Sequence, residues 1–374
     1  MDLAYTTEQD MLAESIQRFI ATEYDLSNRK NLVASDLGYS AQHWQTFAEL
    51  GWLGMSIPEA YGGLGGDLVD TMIMFEEFGK GLVLEPMHSS LVLFAGSIEL
   101  AGSDEQKHQY LPALGAGELT GCLAYAEADE PTNFNFVSAT AVKNEDHYLL
   151  NGTKSVVLNA ASADFILISA RTYGQATDAD GISLFLVPGN TEGLSRKDYP
   201  TVDGLRASEV ALENVRVPAS ALLGAEGAAS QTLNSIINRG ILAISAEAVG
   251  AMAVLYQSTI DYTKQRVQFD HPLSEFQVVK HRLTEMFIEY NLAKSLCMKA
   301  TMLLNQNSED AQRHIHALKF LIGKTSRFVG QNAVQLHGGM GMTEDLAIAH
   351  YFKRLMMIDA TFGHTDIHLD AFVQ

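Results

Sequence analysis

Apolar residues near the start of the chain recur at the spacing of one helix face. Met11, Leu12, Ile16, Phe19 and Ile20 form such a stripe, and Thr6 or Thr7 ahead of it can cap the helix. The same period predicts helices over residues 42–50, 67–78 and 91–101, the last ended by Gly102-Ser103. From about residue 118 the period falls to two. Residues 136–142 and 147–150 flank a polar hairpin turn, Lys143-Asn144-Glu145-Asp146, while 165–170, 182–187 and 210–217 read as further strands. Several short strands with polar turns predict a small β-barrel or sandwich. After Gly224 the helical period returns, with long helices predicted over 229–266, 275–305, 310–336 and 346–357. Four long helices with short connections make a bundle. The pattern is that of an α+β chain with an N-terminal helical domain (1–118), a central β domain (119–224) and a C-terminal helical bundle (225–374).

Composition narrows the setting. At 374 residues the chain has ample length for two or three cores. Hydrophobic residues make up 47%, yet no uncharged apolar run is long enough to span a bilayer. Residues 1–25 mix acids with apolar positions, unlike a cleavable signal. The two cysteines, Cys122 and Cys297, provide no disulfide framework, which makes the cytoplasm the expected location. A formal net charge of −20 argues against nucleic acid or an anionic membrane as partner.

Two segments carry candidate binding chemistry. One is Arg266-Val267-Gln268-Phe269, followed after a Pro-containing turn by Phe276-Gln277. The other is Gln335-Leu336-His337-Gly338-Gly339-Met340-Gly341. Arg266 offers a planar fork of donors that matches phosphate oxygens, and Gln277 and Gln335 can donate and accept at once. Gly338 and Gly339 lack a Cβ, so backbone N–H groups can approach an anion closely. Taken singly, the first segment reads as an exposed Arg266 and the second as a helix C-cap at Gly338. The glycine-rich stretch Pro58-Glu59-Ala60-Tyr61-Gly62-Gly63-Leu64-Gly65-Gly66 lacks the preceding strand and terminal lysine of a phosphate loop. His364, Asp366 and His368 have the spacing of two ligands on one helix face, but no further ligand stands at metal spacing, and a solvated tail is the expectation.

In this order and spacing the two segments resemble the acyl-CoA dehydrogenase family. Its Arg-x-x-Phe-Gly…Phe-Gln and Gln-x-x-Gly-Gly-x-Gly signatures contact the adenosine diphosphate half of FAD, characteristically the FAD held by a neighbouring subunit. The resemblance covers essentially the whole chain and includes the Pro-Glu-x-Tyr-Gly-Gly-x-Gly loop that joins helices in the family. It implies FAD bound through Arg266, Phe269, Gln277, Gln335, Gly338 and Gly339, with Asp270 in place of the signature's glycine. It also implies an acyl-CoA substrate, desaturated between its α and β carbons, and electron-transfer flavoprotein as electron acceptor. With the chain's acidic balance, CoA phosphates would need a local basic patch or a partner chain.

Departures from the family pattern fall on the catalytic side. Most members place the base, a Glu, in a Tyr-Glu-Gly-Thr segment; here the matching stretch is Thr361-Phe362-Gly363-His364. Others place it on the first helix of the C-terminal domain, one residue before an Arg, where this chain has Gly240-Ile241. The nearest carboxylates are Asp359, Asp366 and Glu247, none at a family position. The family's Thr-Glu-Pro is Ala126-Glu127-Ala128, and Val156-Val157-Leu158 stands where a flavin-facing Trp-Ile-Thr/Ser is usual. The catalytic residue is therefore unassigned. This asymmetry is expected of one subunit in a heteromer whose second, acyl-CoA dehydrogenase-like subunit supplies base and ring pocket. Within the family, residues 203–207, 246–252 and 350–360 resemble the small subunits of pimeloyl-CoA dehydrogenases, which are related to two-subunit enzymes for steroid side-chain CoA esters. A catalytically silent scaffold, or a homo-oligomer with a displaced base, are the alternatives.

Overall fold

A computed structural model describes residues 5–373. The chain begins with α1 (Thr7–Glu23), α2 (Leu26–Val33), α3 (Ala41–Glu49), α4 (Leu68–Gly81), α5 (Gly96–Ala101) and α6 (Asp104–Gly115). Eight strands follow: β1 (Gly121–Ala124), β2 (Thr140–Asn144), β3 (His147–Leu158), β4 (Phe165–Arg171), β5 (Ile182–Pro188), β6 (Leu194–Pro200), β7 (Arg206–Pro218) and β8 (Leu222–Leu223). The last part holds α7 (Ser230–Gln265), the small hairpin β9 (Val267–Gln268) and β10 (His271–Pro272), then α8 (Gln277–Asn305) and α9 (Ala311–His337). It ends with α10 (Ala347–Ala360) and α11 (Thr365–Val373). Helices, then strands, then helices is the α+β order expected from the periodicity.

Local signals explain most starts and stops. Thr6 caps α1: Gln9 N donates to its hydroxyl at 3.2 Å, and Thr6 N donates back to the Gln9 side chain at 3.1 Å. Leu12 and Ile16 are buried on this helix, whereas Met11 is 63% exposed, so the inward stripe is narrower than the sequence implied. Asp67 caps α4 in the same reciprocal way. The helix expected over 91–101 begins earlier, as a π-helical segment over His88–Ala95 that runs into α5. Helices α2, α6 and α11 escaped the periodicity because their polar residues outnumber or interrupt any apolar stripe. The glycine-rich loop after residue 57 turns its amides inward. Gly63 N, Leu64 N, Gly65 N and Gly66 N donate to carbonyls of Pro58, Gly54, Ile57 and Met55, which leaves no cradle for an anion.

One compact unit is made of Leu32–Gly66 and Leu84–Gly240. Its sheet has the order β6-β7-β3-β2-β4-β5-β8, with β1 parallel to β4. A single core cluster takes in Val210 and Val215 from β7 as well as Phe185 and Val187 from β5. Strands from opposite ends of the order thus share one interior, and the sheet curls over on itself. Both faces of β4 and β5 are buried, so these strands read as continuous apolar runs and not as the alternation expected. The first hairpin also differs from the reading: β2 starts at Thr140, four residues later than predicted, and β3 runs on to Leu158.

The other unit contains the described residues up to Asn31, Asp67–Val83 and the chain from Ile241 onward. Here α4 and α7 cross at backbone contact. A Cβ on Gly79 would lie 2.0 Å from the Glu247 carbonyl oxygen, and one on Gly250 would lie 1.9 Å from that of Glu76. Beside the crossing, Glu247 is buried and gripped by Arg354 of α10, Nε to Oε1 at 2.6 Å and Nη2 to Oε2 at 2.7 Å. Helix α7 has 36 residues and is long and apolar enough to cross a membrane by composition, but 78% of its most apolar window is buried in the protein, as befits a core helix.

The crossing yields a sign-reversed test. Gly→Ala in an exposed helix stabilises by about 1 kcal/mol through propensity. Gly250→Ala should instead destabilise by about 3 kcal/mol, because the methyl group meets backbone that cannot rotate away. Urea unfolding of the two proteins reads the difference, and a neutral or stabilising result would contradict the contact.

Candidate functional site

The six residues expected to hold FAD all lie on the unit that contains α8 and α9, and all are exposed. Arg266 directly follows α7. Its backbone carbonyl accepts from Leu273 N at 2.8 Å, which closes the β9–β10 loop onto the helix end. The Tyr262 ring stacks on His337 at 4.3 Å, joining the end of α7 to the end of α9. Arg282 of α8 donates to Asn332 of α9 at 3.1 Å. These helices run antiparallel, so five residues before Arg282 and five after Asn332 bring Gln277 opposite His337. The two sequence segments are thereby gathered at one end of the unit.

Their side chains are uncommitted. No hydrogen bond or ion pair among the described residues engages the Arg266 guanidinium or the carboxamides of Gln277 and Gln335. A Cβ on Gly338 or Gly339 would meet no atom within 4 Å, so the backbone there faces open space. Gly338 has φ 63 and ψ −146, a region that L side chains avoid. An open groove nearby is lined by Lys264 and Lys280 together with Tyr256 and Phe287. A fork of donors, two carboxamides and an approachable glycine backbone fit a diphosphate. Phe269 is 85% exposed at the tip of the hairpin, edge-on to Phe276. Asp270, in the glycine position of the signature, takes φ 63 after Phe269 at φ 56, so both tip residues are left-handed without a glycine.

The two family positions for a base hold none. Phe362 is buried at φ 60, and Gly363 follows at φ 102. Their carbonyls are occupied: Gly363 O accepts from Lys319 Nζ at 3.0 Å, and Phe362 O lies 2.9 Å from His368 Nε2. Lys319 is fully buried, also donates to Asp359 O at 2.8 Å, and is pulled down to about 8 by burial. Gly240, in the other unit, offers only its carbonyl, 3.2 Å from His88 Nε2. The neighbouring carboxylates are structural or solvated. Asp359 accepts from Arg327 at 3.0 Å and from the Thr365 hydroxyl at 2.8 Å, Glu247 is held by Arg354, and Asp366 faces solvent on α11. The oxygens of Asp359 and Glu247 are thus engaged by arginines and a hydroxyl of this chain.

His368 corrects the sequence reading of a solvated tail. It is 2% exposed and packed by α11 against α9, whereas His364 is exposed. No group of three or more His, Cys, Asp or Glu among the described residues could hold a metal ion.

On the sheet, Glu127 points into the interior and does not reach outward. It takes Lys154 Nζ at 2.6 Å, Ala139 N at 3.1 Å, Ser138 N at 2.9 Å and the Ser138 hydroxyl. Burial alone would raise this carboxyl, yet Lys154 and the surrounding donors hold it below its ordinary range. Val156 sits on a bulge where the β3–β7 register slips between Lys154 and Val157. It is half exposed at φ 53, an unfavourable conformation for a β-branched residue, and presents no ring and no hydroxyl. The lack of aromatic and hydrogen-bonding groups at Val156-Val157-Leu158 was legible in the sequence; the bulge was not.

Comparison with known proteins places these features. Residues 6–118, 122–215 and 206–374 match the N-terminal, middle and C-terminal domains of acyl-CoA dehydrogenase. The probable acyl-CoA dehydrogenase YngJ of Bacillus subtilis is 29% identical over 98% of this chain and 97% of its own. An acyl-CoA dehydrogenase from Geobacillus kaustophilus superposes with a TM-score of 0.92 at 27% identity, covering 100% of this chain and 99% of the other. The Tcur3481-Tcur3483 steroid ACAD gives a TM-score of 0.88 at 26% identity, with 98% and 96% covered. With domain matches running in order from residue 6 to residue 374, the chain belongs to the acyl-CoA dehydrogenase family.

Proposed function

We propose that this chain is one subunit of an FAD-dependent acyl-CoA dehydrogenase that desaturates a CoA thioester between its α and β carbons. A second acyl-CoA dehydrogenase-like subunit supplies the base and the flavin-ring pocket. The observation that carries this reading is a contrast within the chain. Arg266, Gln277, Gln335, Gly338 and Gly339 stand exposed and uncommitted, while Phe362, Gly363 and Gly240 fill both places where a base is expected. FAD, when bound, accepts the hydride that leaves the β carbon. This chain's part is to hold the diphosphate with Arg266 and the Gly338-Gly339 backbone, and the adenosine with Phe269, Gln277 and Gln335.

Removal of an α C–H proton needs a desolvated carboxylate next to groups that stabilise the enolate. Glu247 and Asp359 are committed to arginines, so the proton goes to a group on the partner. Exposed apolar side chains on α8, Phe287, Ile288 and Leu292, offer a surface for that partner. The acyl group is a dicarboxylic or bulky one; likeness to the Tcur3481-Tcur3483 steroid ACAD supports the bulky choice. Reoxidation passes to electron-transfer flavoprotein, in the cytoplasm.

Three outcomes are expected. Purified alone, the chain should be colourless and inactive; co-expressed with its partner it should form a yellow heterotetramer with two FAD. A homotetramer carrying four FAD and desaturating an acyl-CoA unaided would refute the proposal. Arg266→Ala should weaken FAD binding to the complex by about 1.5–3 kcal/mol, or roughly ten- to a hundredfold, as read by titration of the apo-complex. Equal affinity would remove Arg266 from the site.

Glu247→Gln, Asp359→Asn and Asp366→Asn should each leave turnover within about tenfold, since loss of a true base costs roughly 10²–10⁴. Amides are used because an alanine at 247 would strand the buried Arg354. A thousandfold loss in a folded variant would identify a base on this chain.

A further inference from the structure

One ring stack joins the two segments that carry the candidate FAD contacts. Tyr262 stands one turn before Arg266, and its carbonyl accepts from Arg266 N at 2.9 Å, so the last helical turn of α7 carries the arginine's main chain. The Tyr262 ring lies on the His337 ring with centroids 4.3 Å apart and planes 26° apart. His337 is buried, is the last residue of α9, and is followed directly by Gly338. Its Nδ1 donates to the Ala333 carbonyl at 2.8 Å, which fixes the ring against its own helix as it meets Tyr262. The Tyr262 hydroxyl reaches the His337 carbonyl at 3.5 Å, the far edge of hydrogen-bond range.

The glycine segment rests on the same histidine. After α9 the chain makes a 3₁₀ turn over Gly338–Met342. A Cβ on Gly341 would lie 3.0 Å from the His337 Cβ and 2.8 Å from the Val334 carbonyl oxygen, so the turn folds back against the end of its own helix. Gly338 N is spent on the Gln335 carbonyl. At Gly338 and Gly339 a Cβ would meet nothing within 4 Å, so the turn is held at its root and open at its crest. A continuous path of contacts therefore runs from Arg266 through Tyr262 and His337 to the glycine turn. Groups that share one ligand must be held within about 0.5 Å of their working geometry, and this path is what holds these two.

We infer that Tyr262 and His337 are positioning residues for the diphosphate of FAD: their stack sets the separation of the Arg266 fork and the Gly338-Gly339 backbone so that both engage one anion. The inference rests on the functional reading above. Neither ring has to touch the ligand. An aliphatic side chain at 262 would keep the space between the helix ends apolar, but it would lose the preference of two rings for one mutual arrangement. Arginine and glycine turn would then each survive while their registration is lost.

Titration of the apo-complex with FAD, read by flavin fluorescence, tests this on Tyr262→Leu, Tyr262→Phe, Arg266→Ala and the Tyr262→Leu/Arg266→Ala pair. Tyr262→Leu should weaken FAD binding by about tenfold, whereas Tyr262→Phe keeps the stack and should stay within about twofold of wild type. Because the stack acts through Arg266, Tyr262→Leu should cost less than about twofold once Arg266 is already alanine. Residues that only pack the helices would cost the same in both backgrounds. Such additivity, or unchanged affinity in Tyr262→Leu while Arg266→Ala weakens binding, would overturn the positioning role and leave the functional reading standing. Unchanged affinity in Arg266→Ala would overturn both. Should Tyr262→Leu not fold, His337→Leu removes the other half of the stack and must show the same loss with the same dependence on Arg266.

Discussion

The unit that carries the candidate FAD contacts depends on two helices that touch without side chains between them. At Gly79 and Gly250 the backbones of α4 and α7 approach so closely that a methyl group would overlap a carbonyl oxygen. Such proximity leaves no room to slide or rotate, because each helix groove receives the other's main chain. Glu247, one turn from Gly250, then meets Arg354, and that ion pair brings α10 to the same place. A buried pair of this kind adds little net stability but penalises any arrangement that separates its members. Position, more than strength, is what the crossing and the pair supply together. Helix α7 runs from this fixed point to Arg266, so the candidate phosphate fork is set by a crossing sixteen residues upstream, at Gly250.

The chemistry divides along the same lines. Several buried polar groups of this unit are consumed: Glu247 by Arg354, Asp359 by Arg327 and Thr365, Lys319 by two carbonyls. Those at the far end of α7 and α9 are left over. The sheet tells a similar story, with Glu127 turned inward to Lys154 and the Val156 bulge presenting only aliphatic surface.

Much of this was legible in the sequence, for identifiable reasons. Helix starts such as Thr6 and Asp67 are local: cap and partner stand three residues apart, so the sequence alone contains the interaction. The paired segments around Arg266 and Gly338 were readable because residue types and spacing suffice to define them, and the structure gathers them at one end of the unit. What could not be read depends on distant partners. Met11 looks like core by period and faces water, while β4 and β5 lose their alternation because both faces are covered. His368 sits in a polar tail by composition, yet α9 buries it; its fate was set by His316, fifty-two residues away. Edge strand β6, Leu-Ser-Arg-Lys-Asp-Tyr-Pro, has no apolar face and is recruited by distant partners: pairing with β7, Leu194 packed on the core cluster, and Arg196 donating to the carbonyls of Ala160 and Gly189.

The β9–β10 hairpin has one more consequence. Its tip, Phe269-Asp270, adopts two successive left-handed residues without a glycine, at a local cost that the unfolded chain would avoid. A glycine there would sample many more shapes in the unfolded chain and lose that freedom on ordering, whereas Phe and Asp have fewer to lose. The same tip carries Phe269 out into solvent, 85% exposed, so a molecule that covered this ring would bury apolar area that the folded chain leaves in water.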